Sequence, residues 1–93
     1  MNEEADKDEF KKLFGENLKK IRKTKNLSFR KLAIRCNIDY SDISKIEKGK
    51  RNIQLSTIFE LAKALSVHPK ELFDFDINKY HLIGNIFPKN IIE

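Results

Sequence analysis

Residues 28–49, SFRKLAIRCNIDYSDISKIEKG, decide the fold. Ser28 is a good N-cap, because its hydroxyl can accept a hydrogen bond from a backbone N–H of the first helical turn. Leu32, Ala33 and Cys36 then fall on one helical face. Asn37 tolerates a left-handed backbone and ends that helix. Ile38 is apolar, Asp39 is a second N-cap, and Ile43 and Ile46 mark the inner side of the helix that Asp39 opens. Gly49 stops this second helix. The spacing predicts two short helices, at 29–36 and 40–48, joined by a three-residue turn.

Apolar positions 32, 36, 38, 43 and 46 let the two helices pack across each other at a steep angle, and Ala33 is small where their backbones must approach. That is the pattern of a helix-turn-helix. The second helix has a polar outer face of Tyr40, Ser41, Ser44 and Lys45. In a major groove those side chains can hydrogen-bond base edges. An ordinary helical hairpin with a solvated face is the competing reading of the same residues.

Upstream, Phe10, Leu13, Phe14, Leu18 and Ile21 recur at helical spacing among lysines, so an amphipathic helix of about four turns is expected to end near Asn26. Downstream, Lys50, Arg51 and Asn52 form a polar loop. Leu55, Ile58, Leu61, Ala62 and Leu65 mark a fourth helix. Pro69 suits the first position of a short fifth helix, 69–73, with His68 as its cap. The expected fold is therefore all-α, a compact five-helix unit over 9–74, followed by a tail at 75–93.

The 93 residues carry 19 Lys and Arg against 14 Asp and Glu, a formal charge of +5. Its placement says more than its size. Residues 1–9 are net −4 and read as a disordered acidic leader over 1–8. Residues 10–52 hold fourteen Lys and Arg against Glu16, Asp39, Asp42 and Glu47, a net of +10. Residues 53–93 are net −1. A basic block centred on the helix pair is the footprint expected of a phosphate-binding surface, although lysine-rich helix faces are also common as plain solvated surface.

Several functions find no support. The longest apolar run, Leu32-Ala33-Ile34, is far short of the ~18 residues of a membrane span. The acidic start is no secretory signal. One cysteine, Cys36, permits neither an internal disulfide nor a cysteine-cluster zinc site, and reads as inert core. His68 and His81 are too isolated to be metal ligands. No phosphate-cradling glycine loop or nucleophile-base pair is present, so neither enzymatic activity nor a cofactor is expected.

The residues Leu27-Ser28, Lys31-Leu32-Ala33, Ile43 to Asn52, Leu61 to Leu65 and Glu71-Leu72-Phe73 together resemble the phage Cro and repressor-like, or XRE-type, helix-turn-helix family. The resemblance runs in order and without gaps over about sixty residues from Phe14 to Phe73. It implies a five-helix domain that binds double-stranded operator DNA, usually as a symmetric homodimer. Tyr40, Ser41 and Lys45 fall where family members contact bases, with Ser44 beside them. Lys50 and Arg51 match the loop laid along the DNA backbone, and Ser28, Phe29 and Arg30 begin the helix whose N-terminus points at a phosphate. Arg22 and Glu47 match a partly buried ion pair joining the first and third helices.

Three positions depart from the family pattern. Phe29 stands where glutamine is frequent, and its ring is exposed unless it folds onto Tyr40 or the core. Asn37 replaces the usual turn glycine. Asp42 puts a carboxylate on the second helix, where it repels phosphates unless it accepts from cytosine N4 or pairs with a lysine. All three bear on the operator sequence more than on DNA binding itself.

The tail carries Tyr80, Leu82, Ile83, Ile86, Phe87, Ile91 and Ile92, too apolar for a free end. A small hairpin about Gly84-Asn85 is expected, serving as a dimer contact or packing on the last helices. The resulting expectation is a cytoplasmic, nucleoid-associated transcription regulator. A narrower version is the controller protein of a restriction–modification operon; the alternative from another class is a protein-interaction module, an antitoxin whose 75–93 tail binds a partner protein.

Overall fold

The computed structural model describes residues 3–77, and the side chains of residues 4–77. Four α-helices and a 3-10 helix follow one another: α1 (Glu3–Thr24), α2 (Phe29–Cys36), α3 (Tyr40–Glu47), α4 (Leu55–Leu65) and the 3-10 helix Pro69–Phe73. The fold is all-helical among the described residues. The expected hairpin and the apolar residues from Tyr80 onward lie outside them.

The first helix corrects the expected boundary. Residues 3–8 are not a disordered leader but the opening turns of α1. Acidic side chains in those turns complement the helix dipole. Two ion pairs one turn apart, Lys11–Asp8 at 3.3 Å and Lys12–Glu9 at 3.7 Å, couple them to the basic part. The short fifth helix spans Pro69–Phe73 as expected, and is a 3-10 helix. His68 caps it as expected: Lys70 N donates to His68 Nδ1 at 3.2 Å, and His68 N donates to Glu71 Oε2 at 3.1 Å.

The helix-turn-helix forms for the local reasons its residues supply. Lys31 N donates to Ser28 Oγ at 3.1 Å and Ser41 N to Asp39 Oδ1 at 3.4 Å, so each helix has its side-chain cap. Asn37 takes the left-handed conformation, with φ 54°, and Ile38 N reaches back to Ala33 O at 3.2 Å. Ser66 ends α4 the same way, with φ 58°, at a position where nothing in the sequence marks the turn.

Leu18, Leu32, Ile43, Leu61, Leu65 and Leu72 are fully buried and bring every element to one core. Two contacts set how α1 meets the pair. A Cβ on Gly15 would collide with the Glu47 carbonyl oxygen, so only glycine lets α1 lie this close to α3. Gly49 has φ +75°, and a Cβ there would meet Lys12 Cα at 2.9 Å. At the other end, Asn17 is buried and donates from Nδ2 to the carbonyls of Glu71 at 2.8 Å and Leu72 at 3.0 Å. Ring contacts of Phe14 with Phe73 (5.2 Å) and Phe10 with Phe75 (5.8 Å) close the same seam. Phe75, expected as the first tail residue, thus belongs to the folded unit.

Candidate nucleic-acid interface

Helix α3 is held from below and bare above. Ile43, Ile46 and Glu47 are buried. Tyr40, Ser41 and Lys45 are exposed on the outer side, and Ser44 is half-buried between them. The four residues expected to read bases therefore share one helix and one outward region, but not equal access.

Beneath them lies the ion pair of Arg22 and Glu47. Arg22 Nε donates to Glu47 Oε2 at 2.6 Å and Nη2 to Oε1 at 3.0 Å, a fork geometry that fixes both side chains. Nη1 donates to Leu27 O at 2.8 Å, at the loop entering α2. Both side chains are buried. One guanidinium thus ties α1, the end of α3 and the approach to α2 together, which fixes α3 relative to α2.

Phe29 resolves its own departure from the family pattern. Its ring is half-buried against the core, with the Arg22 guanidinium carbon 4.2 Å above its centroid. The side chain is structural and has no phosphate-binding group. What remains available at the expected phosphate contact is main chain: the first residues of a helix have no intrahelical acceptor for their N–H groups. Ser28 and Arg30 are exposed at the same terminus. The Arg30 guanidinium carbon lies 5.2 Å from the Tyr40 ring centroid, bridging the start of α2 to the start of α3.

Beyond α3, Lys50 N donates to Lys45 O at 2.9 Å, which folds the loop against the helix end. Lys50 and Arg51 are both exposed. Arg51 has a partner: its Nη2 donates to Asp42 Oδ1 at 2.7 Å. Asp42 therefore pairs with an arginine rather than a lysine. The sequence offered both residues but no signal joining them, because the pairing depends on the loop turning back at Gly49.

Cys36 is buried, donates from Sγ to Leu32 O at 3.1 Å, and has its pKa pushed up by burial. It is a core residue. No helix among the described residues is long and apolar enough to cross a membrane.

A capped helix pair, a bare polar face on its second helix and a basic loop against that helix define a DNA-binding helix-turn-helix domain. The chain belongs to the XRE-type helix-turn-helix family of DNA-binding regulators: a family model described as helix-turn-helix matches residues 18–72. Control protein C.BamHI of Bacillus amyloliquefaciens is 47% identical over 64 residues, 68% of this chain and 79% of that one. Control protein C.MunI of a Mycoplasma species is 40% identical over 67 residues, covering 71% and 89%. Among solved structures, the restriction-modification controller protein C.AhdI of Aeromonas hydrophila superposes with TM-score 0.67 at 40% identity, over 68% of this chain and 96% of that one.

Proposed function

We propose that this protein is the controller of a restriction–modification system, binding a two-fold operator as a homodimer in the bacterial cytoplasm. The observation that carries the DNA-binding part is the exposed Tyr40–Ser41–Lys45 surface of α3, with Lys50 and Arg51 on the loop folded against it. Tyr40, Ser41, Ser44 and Lys45 read base edges. Lys45 suits guanine O6 and N7, and Tyr40 a thymine methyl. Lys50, Arg51, Arg30, Ser28 and the main chain at Phe29 hold phosphates. The controller role is supported by the relatives named as control proteins.

Dimerisation is supported by an apolar surface a monomer has no use for. Leu55 is 85% exposed and Phe59 58% exposed on α4. Leu55 lines a groove with Phe10, Phe14, Ile53, Ile58 and Phe73, which Lys11, Arg51 and Asn52 also line. A second copy covers this face, and the 75–93 segment adds to the contact. Light scattering on a chain ending at Asp76 separates the two contributions: weaker dimerisation assigns part of the contact to the removed segment, and unchanged dimerisation assigns it all to the helices.

The DNA-binding part is tested by a salt series in a gel-shift assay. For ~6–10 phosphate contacts, affinity falls about 10³–10⁵-fold between about 50 and 200 mM salt. A flat salt response contradicts it. For the controller role, genes for a restriction endonuclease or its methyltransferase are expected next to this one, and their absence counts against it.

A further inference from the structure

We propose that Asp42 is a specificity-determining positioning residue, which holds Arg51 so that its guanidinium engages DNA in one register only. The inference rests on the DNA-binding reading above and deepens it.

Asp42 is the third residue of α3. At about 100° per residue it lies on the flank of the helix, between outward Lys45 and inward Ile46. Arg51 comes to it from the loop after Gly49, and both residues line the groove with Ile38, Ile46, Ile53 and Thr57 between α3 and the start of α4. The contact is short, 2.7 Å, yet both side chains remain nearly half exposed, at 46% for Arg51 and 43% for Asp42. A pair so placed adds little to the stability of the fold. Its position at the edge of the reading face gives it a different consequence.

The bond uses one of the five N–H groups of the guanidinium and one carboxylate oxygen. The remaining donors of Arg51 stay available, in a direction that Asp42 sets. Non-specific binding arises from cations free to meet any phosphate. An arginine already neutralised by a carboxylate contributes little to that attraction. Only a duplex docked so that a phosphate or base edge meets the remaining donors gains from it. The second oxygen of Asp42 is an acceptor for an exocyclic amino group such as cytosine N4, and elsewhere it faces phosphate and repels it. Both effects penalise the wrong register more than the right one.

The test compares the full-length protein with Asp42→Asn, Asp42→Glu, Arg51→Ala and the Asp42→Asn/Arg51→Ala double variant. Each is titrated by fluorescence anisotropy against a duplex carrying its selected site and a scrambled duplex of equal length. For Asp42→Asn, binding to the scrambled duplex tightens, and its log–log salt slope steepens by about 0.9, one added phosphate contact. The ratio of selected to scrambled affinity falls about tenfold. Glutamate at 42 restores part of that ratio, and the asparagine effect on the ratio disappears when Arg51 is alanine. Unchanged thermal melting shows that these shifts are not unfolding. The proposal is overturned if Asp42→Asn changes both affinities by the same factor, or lowers the ratio equally with and without Arg51. A wild-type protein that binds neither duplex overturns the DNA-binding reading itself.

Discussion

Arg22 lies below the surface, with its guanidinium shared between Glu47, the Leu27 carbonyl and the face of Phe29. Removing either charge leaves the other buried without its partner, and such a change costs about 3–5 kcal/mol. Glu47→Ala is expected to lower unfolding stability by about that amount in urea titration; a loss under about 1 kcal/mol means the pair is not held as described. Cys36 supplies an independent residue-scale check. Its thiol is buried and its ionisation is opposed by burial. A thiol reagent should label it slowly in native buffer and fast in denaturant, and equal rates would contradict its place in the core.

At the scale of elements, the decisive contacts are those that fix helix against helix. Gly15→Ala distinguishes two physical effects by sign. Helix propensity alone stabilises the variant by about 1 kcal/mol. The collision of the new Cβ with the Glu47 carbonyl demands that α1 and α3 part, an overpacking cost of about 1–3 kcal/mol. Net destabilisation in thermal melting is expected, and a stabilised variant would refute the close approach. Asn17→Ala leaves the Glu71 and Leu72 carbonyls without their shared donor. It should cost about 1–3 kcal/mol, with faster amide exchange around Leu72; exchange as slow as in the parent chain would argue against that tie. These cases also show what was legible in the sequence. The spans of α2 and α3 followed from Ser28, Asn37 and Asp39, because caps and left-handed residues act within a few positions. The roles of Gly15 and Asn17 are not legible locally, because their partners lie some thirty and fifty residues away. The start of α1 is not legible because an acidic composition fits a solvated leader and a helix N-terminus equally well. The site followed the same division. The outward residues of α3 could be read from its periodicity, while the pairing of Asp42 with Arg51 and the burial of the Phe29 ring depend on how the loop and α1 are packed.

For the whole molecule, the overall +5 understates the surface that matters, since +10 lies within residues 10–52, around the helix pair. That net already sets Glu47 against Arg22 in the core and Asp42 against Arg51 on the rim. The central claim is that α3 enters the major groove of each half of a two-fold site. Selection of binding oligonucleotides from a random duplex pool, by the full chain and by Lys45→Ala in parallel, tests it most directly. The predicted result is an inverted repeat with half-site centres about one helical turn, ~34 Å, apart, in which the alanine variant loses preference at one base pair of each half and keeps the rest. Recovery of no common sequence, or of the same sequence at every position by both proteins, would contradict it.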